Sequence, residues 1–281
     1  MEIFLANERA FHLIPQMTLE VARDRVEQKK INLVSGTLGS LLSRPKPEDI
    51  QLVSVENRLE AFWQISVFLR TSYERNRTYS IPLSGTEIQH VTVLGQDLPV
   101  TVAPKGGVSF GLQGVEHCLE ENRHHFTFDG SGAQLDLSKY QSFAKTEITE
   151  LEKFAPEGVI VVPPASKATT VVRSVMANVI KPVKADVIHE ERLDVELLDI
   201  NFRPIYAFEY NWAAKNKQMV IEFDALTGDI QGGGKKMGSQ VRDMLTRDLV
   251  FDMTADAVGT FVPGGSIAVK LVKAAIDRDK K

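Results

Sequence analysis

The stretch at residues 202–230, FRPIYAFEYNWAAKNKQMVIEFDALTGDI, limits most what this chain can fold into. Residues 205–212 are rich in β-branched and aromatic side chains, which fit a pleated, half-buried surface. A polar connector at 213–217 separates them from a second such run at 219–223. Two runs of this kind joined by a short polar link predict a β-hairpin. Asp224, Thr227 and Gly228 then form its closing turn. The carboxylate of Asp224 can accept from backbone amides of the turn, and Gly228 tolerates the positive φ that reverses the chain.

On the amino-terminal side, Thr18 caps a helix that the proline pair Pro45 and Pro47 must end, with Gly36 and Gly39 interrupting it. Strands are expected at 50–55, 61–69 and 73–83, the last two joined by a turn at Glu74-Arg75-Asn76-Arg77. Two short strands at 91–94 and 98–102 flank a tight turn at 95–97, and 115–129 reads as a further hairpin turning at 120–123. Residues 138–154 have loosely helical spacing, 158–164 form a short apolar strand, and a helix over 166–180 carries Val171, Val172, Val175 and Val179 on one side. Alternation of Leu193, Val195 and Leu197 with acids predicts a half-buried strand. Beyond Gly232, residues 240–261 and 266–281 read as two amphipathic helices.

The fold class expected is α+β, with two antiparallel β-rich modules and a C-terminal helical hairpin. The segments are 1–155, 156–232 and 233–281, with Gly232, Gly233 and Gly234 as a flexible linker. Phe62, Ile65 and Phe68 recur 140 positions later as Phe202, Ile205 and Phe208, and each set follows a helix that ends at proline. An internal duplication is therefore left open.

The ending FDALTGDI after the strand MVIE is similar to the close of PepSY modules, over residues 166–230, with a degenerate echo at 46–88. The resemblance implies a helix-and-hairpin module and an inhibitory or peptide-binding role. That family's usual setting in propeptides and in exported or membrane-anchored proteins does not suit this chain, which shows neither a signal-peptide pattern nor an HExxH protease motif.

With 37 acidic and 33 basic residues, the formal net charge of −4 gives no global reason to expect nucleic acid as a partner. One cysteine fits a reducing compartment, and a cytoplasmic location is expected. His117, Cys118, His124 and His125 are the metal-capable cluster, since a hairpin over 115–129 would face Cys118 with one of the histidines, a set a zinc ion accepts. Alternation along a strand lets at most two of the four converge. The glycines at 232–234 before Lys235 and Lys236 miss the spacing of a phosphate loop. Glu190, Glu191, Asp194, Glu196 and Asp199 read as a solvated strand face. No cofactor is expected. The leading function is a non-catalytic protein-binding or scaffold role, with a protein partner or a homo-oligomer assembled through the C-terminal helices. The alternatives are a metal-dependent hydrolase using 117–125 and a peripheral protein on a membrane surface.

Overall fold

The computed structural model describes residues 1–43, 45–104, 106–234, 245–252 and 270–273. In chain order the strands are β1 (Glu2–Leu5), β2 (Glu8–Leu13), β3 (Ile50–Leu83), β4 (His90–Val93), β5 (Gln96–Val102), β6 (Val108–Asp129), β7 (Lys145–Glu147), β8 (Ile160–Val162), β9 (Val187–Trp212), β10 (Lys217–Asp224), β11 (Ile230–Gly234) and β12 (Lys270–Lys273). The helices are α1 (Leu19–Ser43), α2 (Ala168–Val179) and the short α3 (Arg247–Val250).

The frame is the antiparallel pair β3 and β9, joined from Ile50 opposite Trp212 to Glu74 opposite Val187 with three register shifts on the way. The order β11-β10-β9-β3-β6-β5-β4 continues outward from it, with β1, β2 and β8 added in parallel along the two frame strands. The expected hairpin at 202–230 is there: residues 217–224 pair with 205–212 without a register shift.

Opposite residues of a ladder share a face, so the register sorts the core. One face carries Trp63, Ile65, Phe128, Leu198, Ile200 and Phe202, and α2 lies on it through Val171, Val172, Val175 and Met176. Further along the same face, α1 covers Phe208, Tyr210 and Trp212 with Ala22, Val26 and Val34, one helical face at near four-residue spacing. Each large side chain buried this way contributes about 1.5–3 kcal/mol. Thr18 caps α1 through the Val21 amide, and Gly36 at φ 70° breaks its course. The opposite face holds a smaller cluster of Leu13, Phe62, Tyr140 and Leu226 under the segment that follows β6.

Several expectations are corrected by these pairings. The protein is mostly β, built on one large mixed sheet, and not a balanced α+β fold of two modules. Separate strands expected at 50–55, 61–69 and 73–83 are one strand, because Glu74, Arg75, Asn76 and Arg77 each find a partner on β6. Strand pairing thereby joins the 1–155 and 156–232 segments. The helix expected over 138–154 is two short 3₁₀ turns with β7 between them. Gly232–Gly234 belong to β11, paired with β10, so they extend the sheet where a linker was expected. The turn between β4 and β5 falls at Leu94 and Gly95, both at positive φ, the pattern of a type I′ hairpin.

The duplication fails on facing. Ala61 is opposite Phe202 and Phe62 is opposite Asn201, so the two matched phenylalanines lie on opposite faces of the sheet. Of the C-terminal helical hairpin, the described residues show only the one-turn helix α3 and, at 270–273, a strand paired in parallel with β1. The rest of that expectation lies outside the described residues. Among the described residues no helix is long and apolar enough to cross a membrane.

Candidate functional site: the open edge of β6

Strand β6 pairs on its inner side with β3 along its whole length, from Phe62 opposite Asp129 to Leu83 opposite Val108. On its outer side β5 covers only Val108, Ser109 and Phe110. At the other end, Leu135 N–H donates to the Thr127 carbonyl and Asp129 N–H to that of Ala133, closing the outer side there. Between these stops, residues 111–126 have no outer strand among the described residues. At a rise of about 3.3 Å per residue, this lane is about 50 Å long.

The two stops also fix which backbone groups point outward. Thr127 and Asp129 hydrogen-bond to the outside, and the β3–β6 register contains no bulge. Amide and carbonyl of one residue in an antiparallel strand point to the same side, and successive residues alternate. Gln113, Val115, His117, Leu119, Glu121, Arg123 and His125 therefore aim their amides and carbonyls into the lane. The segment contains no proline. Bulges, prolines, covering loops and charged side chains are the devices that protect an edge, and among the described residues this lane has only the last, at Glu116, Glu120, Glu121 and Arg123.

Side chains flank the lane on both faces. Val115 and Leu119 are 50% and 56% exposed, on the face where Arg70 reaches Glu121 at 3.2 Å and Arg123 grips Glu196 with two bonds of 2.8 Å. Arg123 also stacks over Phe68 at 5.3 Å. On the other face Tyr73 donates to Glu120 at 2.7 Å, and that bond pushes the Tyr73 phenol up to about 12. Tyr79 donates to Glu116 at 2.7 Å and Arg75 adds an ion pair, which together hold the Glu116 carboxyl below its ordinary value.

The four metal-capable residues all lie on this one strand. The hairpin expected at 115–129 does not form, because β6 runs straight through 120–123. Cys118 and His124 are six residues apart, about 20 Å along the strand. His117 and His125 point to the opposite face, where His117 Nδ1 lies 3.0 Å from Glu74 Oε1. Among the described residues no group of three or more His, Cys, Asp or Glu side chains is placed to hold a metal ion.

The turn residues meet a polar cluster that sequence reasoning missed. Asp224 Oδ1 accepts from the amides of Leu226 and Thr227, and Gly228 sits at φ 78° with its amide on the Asp224 carbonyl at 2.8 Å. The other carboxylate oxygen accepts from Tyr140, whose hydroxyl accepts in turn from Arg203 at 2.7 Å. Arg203 also bonds Glu60, and the nearly inaccessible Arg58 pairs with Glu56 and Glu222. Asp224, Tyr140, Arg203 and Glu222 border a recess of about 310 Å³, also lined by Lys139 and Asp229, which form a 2.6 Å ion pair. Burial first, then the Glu60 charge, raises the Glu222 carboxyl, with Arg58 and Arg203 pulling the other way. Arg203 inside an aromatic run was the available signal. Its partners come from residues 60, 140 and 224, far apart in sequence.

Of the acids read as a solvated face, Asp199 is fully buried, held by Arg9 at 2.9 and 3.0 Å and by Lys145 at 3.3 Å. A register shift opposite Ser66 and Val67 breaks the simple alternation that the reading assumed. Comparison with protein-family models, curated proteins and solved structures finds no match.

Proposed function

We propose that this chain is a non-catalytic protein-binding protein that accepts an extended segment of a partner along the outer edge of β6. The lane beside residues 111–126 carries the reading: a long, unbulged, proline-free row of outward amides and carbonyls with a stop at each end. An added strand satisfies such groups through main-chain hydrogen bonds and is selected by alternate side-chain contacts. At the recess, Arg203 donates to Tyr140 and Tyr140 to Asp224, which locks the turn at Asp224 and supports the same reading. The similarity of residues 166–230 to PepSY modules suggests the same class of partner. A single thiol, Cys118, fits a cytoplasmic location for this role.

The test is a displayed library of extended peptides screened against the full chain, with binders re-measured on Leu119→Pro. That substitution removes an outward amide and leaves every bond to β3 in place. Binders that lose affinity on Leu119→Pro support strand addition, and binders indifferent to it contradict it.

A further inference from the structure

We infer, building on the strand-addition reading, that the lane takes a segment running antiparallel to β6 with an ordered chemistry: an acid first, a base two residues on, and apolar residues four and eight residues on. The order is read from the side chains of one face. Arg123, Glu121, Leu119 and Val115 share that face, and an antiparallel segment meets them in that sequence.

Opposite-charge and apolar cross-strand pairs stabilise a ladder, and like charges directly opposite destabilise it. An acid belongs opposite Arg123 and a base opposite Glu121. Both side chains keep free surface despite their internal partners, being 55% and 44% exposed. Aliphatic residues belong opposite Leu119 and Val115, whose exposed surface they would cover. His117, between them, already faces Glu74 and leaves the intervening position polar.

The bounds of the lane argue for a segment over a second copy of this chain. A partner β6 is 22 residues long and would run past 126 into residues 133–135, which occupy the outer side at Thr127 and Asp129. A nine-residue segment opposite 123–115 fits between the stops.

The probe is a blocked nine-residue threonine peptide with glutamate first, lysine third, leucine fifth and valine ninth. The control is the same peptide in reversed sequence. Binding to the full chain is measured by calorimetry, together with exchange of the outward β6 amides. The forward peptide is expected to bind at least about tenfold tighter, to lose binding on Leu119→Pro, and to yield its advantage to a charge-swapped peptide on the double variant Glu121→Lys with Arg123→Glu. Equal affinity for both orders, abolished by Leu119→Pro, overturns the antiparallel direction and leaves strand addition standing. No binding together with slow exchange of the outward amides in the free protein overturns both, because the edge is then closed. A concentration-dependent dimer that Leu119→Pro dissolves assigns the lane to a second copy and also overturns the inference.

Discussion

Asp224 ties three things together: the amides of the turn after β10, the Tyr140 hydroxyl and, through it, Arg203. Asp224→Ala is expected to lower unfolding free energy by at least about 2 kcal/mol, since hydrogen bonds to charged groups are worth about 1.5–3 kcal/mol each. Gly228→Ala forces a side chain into the left-handed region and costs about 1–2 kcal/mol. Urea denaturation of both variants checks the order. At Glu222 the native carboxyl titrates above its unfolded value, so the native state binds more protons between the two. The stability it contributes is present below about pH 4 and is lost as pH rises through the native value. On going from pH 4 to pH 7, the stability of Glu222→Gln relative to the parent should therefore rise, and a fall would contradict the assignment. The turn chemistry of Asp224 and Gly228 was legible because it is local. The partners of Arg203 were not, because strand register brings residues 60 and 224 beside it and the turn after β6 brings Tyr140.

At the scale of elements, β6 offers a comparison within one strand. Leu119 aims its amide outward, and Asn122 aims its amide at β3 opposite Leu69. Leu119→Pro is expected to change the melting temperature little, whereas Asn122→Pro loses a ladder bond and is the clearly less stable variant. Equal destabilisation would mean that the outward amide is bonded. The same strand shows why the sequence misled. Glu120, Glu121, Asn122 and Arg123 read as a polar turn, yet each has a cross-strand partner at 71, 70, 69 and 68. Four polar residues mark a turn only when no neighbouring strand is in register with them. The helix over 168–179 and the hairpin at 205–224 were legible because period and turn residues agree there.

Across the whole molecule, β3 and β9 join the segments that composition would separate. Trp63 lies in the cluster under α2 and meets Phe251 edge-on at 5.7 Å, while Trp212 lies in the cluster under α1. The chain has these two tryptophans alone, so Trp63→Phe and Trp212→Phe give one reporter for each end of the sheet. Their fluorescence transitions in denaturant should coincide with the loss of far-ultraviolet dichroism of the same variant, as one cooperative sheet requires. Two separated transitions would mean that the halves fold as independent units. The central claim is that the outer edge of β6 stands open to an added strand, and residue-resolved amide hydrogen exchange of the dilute protein tests it most directly. The amides of Val115, His117, Leu119, Glu121 and Arg123 should exchange far faster than those of Glu116, Cys118, Glu120 and Asn122, in strict alternation. Equal protection of both sets would show that the edge is already filled.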